Sequence, residues 1–258
     1  MNIAIITGAS SGLGRDYAGL LDQEGLDEIW LIARRENRLK AIANSLQTPC
    51  RTLPLDLTRL ESLGEIEKAL AENRDMEVRW LICAAGFGRI GSTTDIPITD
   101  TLRMIDLNAR AAVGVTQLVI PFMSQGSHIL EIVSCSAFQP IPGLNIYAAT
   151  KAFLLRYSRA LGAELASQGI QVTAVCPYWI KDTEFIPQAR QSDKSGLFTS
   201  FPLACTSEVV ARRSLRAAKN GITVCTPDVI SFLHRILCSL LPHRFLMSAS
   251  RIFHHLHK

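Results

Sequence analysis

Tyr147 and Lys151 stand four positions apart in YAATK, at the start of the apolar run AFLLRYSRALGAEL. On a helix, residues i and i+4 share a face, so a phenol and an ammonium would act at one point. Reducing a carbonyl needs a proton donor at the oxygen that gains charge as hydride arrives, and oxidising an alcohol needs the reverse. A free tyrosine titrates near ~10 and is a poor base at neutral pH. A neighbouring cation favours the phenolate, so Lys151 is expected to lower the pKa of Tyr147. The pair alone equally describes the polar edge of an amphipathic helix, and other motifs must decide.

A second motif, TGASSGLGRDYA, follows the apolar run NIAIIT and opens a helical pattern. Gly8, Gly12 and Gly14, with Ser10, Ser11 and Leu13 among them, allow a tight turn and close approach of a pyrophosphate to backbone N–H groups. The helix N-terminus favours that negative charge. The competing reading is a tight turn with no ligand. About twenty residues past Gly14, where NAD sites commonly carry an acid for the ribose 2′-hydroxyl, LIARRENRLK places Arg34 and Arg35. A guanidinium there suits a 2′-phosphate, and cations at a helix start are otherwise mildly unfavourable. The expected cofactor is NADP(H), with NAD(H) second.

With its G-x-x-x-G-x-G spacing and YAATK, the chain resembles the short-chain dehydrogenase/reductase family, over almost its whole length. PLDLT, with Asp56 and Leu57, stands where the family contacts adenine. CAAG (83–86), with Ala84, Ala85 and Gly86, stands where many members carry N-N-A-G. IDLNAR supplies Asn108, and IVSCSAFQPIPGLNIYAATK supplies Ser134 at the family's spacing before Tyr147. The resemblance implies a catalytic set of Asn108, Ser134, Tyr147 and Lys151. In it, Ser134 holds the substrate oxygen, Asn108 links Lys151 to solvent through water, and Tyr147 and Lys151 also meet the cofactor. Ser136 competes with Ser134, which the family spacing favours. Cys135 lies between them with no base placed by sequence to activate it, and reads as buried packing.

Two departures stand out. Cys83 and Ala84 replace the usual asparagine pair. In CPYWIKDTEF, Tyr178 stands where the family often has glycine, with one extra residue before Thr183. By resemblance, Ile180 and Thr183 are nicotinamide contacts.

Elements must hold these residues in place. Of the 258 residues, 48% are hydrophobic and 19% charged, enough for a sizeable core, and the formal charge of +4 is slight for this length, so no nucleic-acid reading follows from it. Short β-branched runs at 2–7, 28–33, 50–55, 78–84, 127–133, 170–176 and 222–226 alternate with helical patterns at 12–24, 35–46, 58–73, 99–124, 147–168 and 207–220. The fold class is α/β: a doubly wound parallel sheet of about seven strands with helices on both faces. With no repeat or polar linker, residues 1–258 read as one Rossmann-type domain. The weakly periodic stretch 177–206 reads as a lid over substrate. The apolar, basic stretch 227–258 reads as a helix, broken at Pro242, on the domain or a partner subunit, or alternatively as a peripheral membrane contact.

The seven cysteines are scattered without a C-x-x-C pair, which favours a reducing compartment over disulfides or a metal site. MNIAIITG lacks the features of a signal peptide, so a cytoplasmic location is expected. The leading function is an NADP(H)-dependent ketone reductase or alcohol dehydrogenase. Aromatic and aliphatic residues in 177–206 favour a lipophilic substrate, ketoacyl or steroid-like. The rival is a non-catalytic NADP(H) sensor or scaffold on the same fold. The helices at 99–124 and 147–168 are apolar over much of their surface, and in the family they commonly pair subunits. A homodimer or homotetramer is expected.

Overall fold

Ile3, Ala4, Ile5 and Ile6 are all fully buried, the signature of a strand covered on both faces. The computed structural model describes residues 1–73, 75–193 and 203–248. Its strands are β1 (Asn2–Thr7), β2 (Glu28–Ile32), β3 (Cys50–Leu53), β4 (Glu77–Cys83), β5 (His128–Ile132), β6 (Gln171–Val175) and β7 (Val224–Cys225). They form one seven-stranded sheet in the order β3-β2-β1-β4-β5-β6-β7, with every pairing parallel. The helices are α1 (Gly12–Leu21), α2 (Glu36–Ala43), α3 (Glu61–Ala71), α4 (Ile98–Ile105), α5 (Ala112–Val119), α6 (Asn145–Leu165), α7 (Phe185–Ala189), α8 (Ser207–Lys219) and α9 (Val229–Leu240).

Alternate residues of each strand feed two core layers. Ile3 and Ile5 pack with Ile66 of α3, Val115 of α5 and Leu154 of α6. Ala4 and Ile6 pack on the other face with Tyr17 of α1, Leu39 of α2 and Val210 of α8. The strand order reverses between β1 and β4, which opens a crevice beyond their carboxyl ends.

The helix expected over 99–124 is not continuous. A π-helical turn, Asp106–Ala111, separates α4 from α5, and a 3-10 turn, Ile120–Phe122, closes the segment at Pro121. The extra residue per turn re-aims side chains, and Asn108, in that turn, is 1% exposed. The last strand keeps two of its five expected residues. In the stretch 177–206, α7, a 3-10 turn (Arg190–Ser192) and a bridge between Ile180 and Cys205 replace the expected irregular loop. Of its polar tip at 192–196, residues 194–196 lie outside the described residues, as do His254, His255 and His257 of the tail.

Asp228 begins α9 with a capping box, accepting the Ser231 N–H at 2.7 Å. The helix ends before Pro242, and residues 243–248 are helical again, as expected. Phe232, Leu233, Ile236, Leu237 and Leu240 of α9 are exposed. Among the described residues no helix is long and apolar enough to cross a membrane.

Two glycines of α1 separate close approach from mere tolerance. A Cβ on Gly14 would lie 2.4 Å from the Gly8 carbonyl oxygen, whereas one on Gly19 would meet nothing within 4 Å. Gly14→Ala is expected to destabilise the protein by roughly 1–3 kcal/mol through overpacking. Gly19→Ala should stabilise it by about 0.5–1 kcal/mol, as alanine replaces glycine in a helix interior. Urea denaturation of both variants checks the pair, and equal effects would contradict this packing.

Candidate active site

The cradle is built where β1 and β4 run side by side. Gly8 has φ +68°, and a Cβ there would lie 2.8 Å from the Ala84 carbonyl and the Ala85 nitrogen. The turn after β1 thus rests on CAAG after β4, and the Thr7 hydroxyl accepts the Ala85 N–H at 3.1 Å. Gly12 has φ +50°, and its missing Cβ would lie 3.0 Å from Thr183 Cγ2. One cleft of about 600 Å³ is lined by every expected cofactor contact: Gly8, Ser10, Ser11, Gly12, Leu13, Gly14, Arg34, Arg35, Asp56, Leu57, Ala84, Ala85, Gly86, Ile180 and Thr183. Ser134, Tyr147 and Lys151 line the same cleft, while Asn108 lies behind it. The bare backbone at Gly8 and Gly12 above a helix N-terminus fits a dinucleotide pyrophosphate.

Of the two arginines, Arg35 is the one fixed to the glycine turn. Its Nη2 donates to Ser11 Oγ at 2.7 Å and to Ser10 Oγ at 3.0 Å. Its Nη1 donates to Glu184 at 2.7 Å, and Arg38 donates to the other Glu184 oxygen at 2.6 Å. Hydrogen bonds from Arg38 and Arg35 hold the Glu184 carboxyl down to about 2. Arg34 is exposed at the rim. Burial opposes ionisation of Asp56, but two hydrogen bonds from Thr58 (2.8 and 3.1 Å), with Arg34 and Arg103 nearby, outweigh it and lower its pKa.

The expected catalytic residues converge from three elements. Tyr147 and Lys151 share the inner face of α6, 8% and 4% exposed. Lys151 Nζ donates to the Ile132 carbonyl at the end of β5 (2.6 Å) and lies 5.7 Å from the centre of the Tyr147 ring. Ser134 caps the short 3-10 turn Cys135–Phe138, its Oγ accepting the Ser136 N–H at 3.1 Å, and it lowers the Tyr147 pKa from the same cleft. Ser136 also lines the cleft, buried and with no hydrogen-bond partner for its hydroxyl. Asn108 Oδ1 accepts the Phe87 N–H (3.0 Å), and its Nδ2 donates to the Phe87 carbonyl (2.9 Å) and to Thr150 Oγ1 (3.2 Å). It clamps the backbone after CAAG. A Cβ on Gly86 would lie 3.0 Å from Asn108 Oδ1 and 3.4 Å from Lys151 Nζ.

One expectation is reversed. Burial raises the Tyr147 pKa well above the ordinary tyrosine value, and the opposing influence of Ser134 is smaller. Burial also pulls Lys151 down to about 8. A low-dielectric layer disfavours charge on both groups, and the ammonium spends a donor on a backbone carbonyl. The phenol is therefore held as a proton donor. Cys135 is pushed up to about 12 by burial, so it is a thiol and packs as expected.

The cleft also contains residues that the motifs did not single out. Phe185 of α7 packs against Tyr147 with ring centres 5.3 Å apart, and Trp179 lies 6.2 Å from Phe185. Arg89 joins Asp100 of α4 (2.7 Å) and donates to the Gln188 carbonyl, tying α7 to the body. His234 of α9 reaches the cleft, edge-on to Phe138 at 6.1 Å, and burial lowers its pKa. The Tyr178 N–H donates to the α9 cap Asp228 at 3.0 Å, which gives the non-glycine residue after Pro177 a fixed place. The sequence signals for these contacts were the aromatic and aliphatic residues of 177–206, which include Trp179 and Phe185, and the apolar stripe of the tail, and neither said where it would dock.

A parallel sheet with a glycine turn at its switch point and Ser134, Tyr147 and Lys151 in the same cleft defines a nucleotide-binding oxidoreductase class. The model of the short chain dehydrogenase family matches residues 2–194, and the chain belongs to that family. An uncharacterized oxidoreductase of Staphylococcus aureus is 32% identical over 198 residues, covering 76% of this chain and 84% of the relative. A short-chain dehydrogenase from Sphingobium yanoikuyae, solved in complex with NADPH, superposes with TM-score 0.77 at 28% identity, over 94% of this chain and 97% of its own. The bulky-bulky ketone specific alcohol dehydrogenase from Comamonas testosteroni superposes with TM-score 0.74 at 25% identity, over 94% and 95%.

Proposed function

We propose that the protein is an NADP(H)-dependent oxidoreductase that interconverts a lipophilic ketone and its secondary alcohol. The observation that carries this reading is the buried Tyr147, backed by Lys151, sharing with Ser134 the cleft that also holds the glycine cradle. A sensor needs the cradle but not this group. The Comamonas testosteroni ketone enzyme and the NADPH-bound Sphingobium yanoikuyae structure support the substrate class and the cofactor. The aromatic wall of Trp179 and Phe185 supports a lipophilic substrate. NADP(H) would rest on Gly8, Gly12 and Gly14, with Arg34, Arg35, Ser10 and Ser11 toward its 2′-phosphate and Asp56 toward adenine. When bound, it supplies or accepts the hydride.

The chain's own residues do the rest. Ser134 donates a hydrogen bond to the substrate oxygen and fixes its position. Tyr147 gives its proton to that oxygen in reduction and takes it back in oxidation. Lys151 steadies the phenolate left behind and would also help to hold the cofactor. Asn108 holds the Phe87 backbone that walls the site. Phe185 over Tyr147, with Glu184 tied to Arg35 and Arg38, supports α7 and its neighbours as a cover over both ligands.

Tyr147→Phe should keep the fold and cofactor binding while lowering turnover of ketones by ~10²–10⁴-fold. An NADPH-consumption assay over a panel of bulky ketones, paired with cofactor titration, measures both. Near-normal turnover in this variant would remove Tyr147 from the chemistry.

Arg34→Asp sets a carboxylate where a 2′-phosphate is proposed. NADPH affinity should fall by about 10- to 150-fold, the loss of one charge-assisted partner, with NADH affinity little changed. Equal losses for the two cofactors would refute the assignment.

Exposed Ile98, Leu102 and Ile105 on α4 and Phe153 on α6 support a homo-oligomer joined through these helices. The exposed face of α9, in a stretch without Asp or Glu from 229 onward, supports a second contact, with a lipid surface. Removing residues 243–258 should leave the oligomer intact by light scattering. A folded monomer would instead assign the subunit interface to the tail.

A further inference from the structure

Alternate residues along β5 and just past its end face the layer beneath α5 and α6: Ile129 and Val133 pack there with Val115 and Leu154. Between them in sequence, and fully buried, stands Glu131. Its Oε1 accepts the Thr116 hydroxyl at 2.7 Å, while its Oε2 has no hydrogen-bond partner. The Cys83 thiol lies 3.5 Å from the same Thr116 hydroxyl. The next residue's carbonyl, Ile132, accepts the Lys151 ammonium at 2.6 Å. A carboxyl with one oxygen unpartnered is costly in such a layer, and an aliphatic side chain would serve the packing better.

We propose that Glu131 is a positioning residue for the site, its carboxylate holding the positive charge on Lys151 through the pH range in which Tyr147 works. This rests on the oxidoreductase reading, in which the Lys151 ammonium steadies the phenolate.

The surroundings leave Glu131 as the counter-charge. Lys151 is faced by Cys83 at the end of β4, Glu131 of β5, Cys176 just past β6, and Tyr147 on its own helix. Glu131 is faced by Thr116 of α5, Cys83, and Lys151 and Tyr157 of α6. Burial raises the pKa of Cys83, Cys176, Tyr147 and Tyr157 well above ordinary values, so all four stay neutral near pH 7. Burial pulls Lys151 down to about 8, and Glu131 is the largest influence raising it. Burial pushes Glu131 up to about 7, with the Thr116 hydrogen bond first among the effects opposing that rise.

The sign follows. A lysine whose pKa is depressed by burial loses its proton as pH rises. Taking away the carboxylate leaves burial less opposed, so Lys151 must lose its proton at lower pH. The alkaline limb of turnover would move with it.

The test is Glu131→Gln, which keeps the shape and can still accept from Thr116. The Lys151 side-chain resonance, assigned by its loss in Lys151→Arg, is followed by NMR against pH in the lysine-labelled full chain. The expected midpoint is lower than in the wild type by about one unit, a tenfold change. The pH profile of kcat on a ketone should lose its alkaline limb by the same shift, and Glu131→Asp should restore much of it. Thr116→Val, which leaves the carboxyl in place but less ionised, should give a smaller shift of the same sign, and it decides the matter if Glu131→Gln does not fold. An unchanged Lys151 midpoint in the folded variant overturns the proposal. Should the wild type turn over no ketone, the functional reading fails, while the titration still reports on Glu131.

Discussion

The carboxyl ends of β1 and β4 meet so closely that Gly8 has no room for a Cβ against Ala84 and Ala85, and α1 starts so near the turn that Gly14 has none against Gly8. Everything else in the cleft is indexed to that contact. It presses the glycine turn onto Ala84 and Ala85, and it sets where Gly86 and Phe87 pass. Asn108 then clamps Phe87 from the π-helical turn between α4 and α5. Gly86, lacking a side chain, lets Asn108 and Lys151 approach the same backbone. The cofactor cradle and the reacting group are therefore two sides of one packing arrangement.

Burial sets the electrostatics of the reacting group. Tyr147, Lys151, Glu131 and several thiols share a layer that disfavours charge, so their protonation depends on each other more than on solvent. A phenol held protonated suits donation to a carbonyl oxygen. A lysine drawn toward neutrality needs a nearby anion to stay charged, and the carboxyl in that layer is on the neighbouring strand. Replacing the family's usual asparagine at position 83 with cysteine removes an amide from the same region and leaves a thiol against Thr116.

Two segments from late in the chain complete the cleft. The stretch after β6 lays Phe185 over Tyr147 and ties Glu184 to Arg35 and Arg38 across the glycine turn. The tail helix α9 contributes His234 to the wall and leaves a row of aliphatic and aromatic side chains outside. A helix with so much apolar surface still exposed is incompletely explained by its contacts within the chain.

The strands NIAIIT and EIWLI, the glycine turn, and the Tyr147–Lys151 pair were legible in the sequence because each rests on local spacing: period two or unbroken apolarity for buried strands, i+4 for one helix face, and glycines where backbone must approach closely. The break at Asn108 was not, since a π turn has no residue signature and is stabilised by what the inward side chain clamps. Nor could local pattern show which arginine reaches Ser10 and Ser11, that His234 reaches the cleft, or that Glu131 lies near Lys151. Those pairs are joined only through the sheet. The sign of the Tyr147 shift followed the same rule. The sequence by itself determined which groups could react and which strand or helix carries each. Tertiary structure alone decided their charge, because burial and the distance to a counter-charge are properties of packed neighbours far away along the chain.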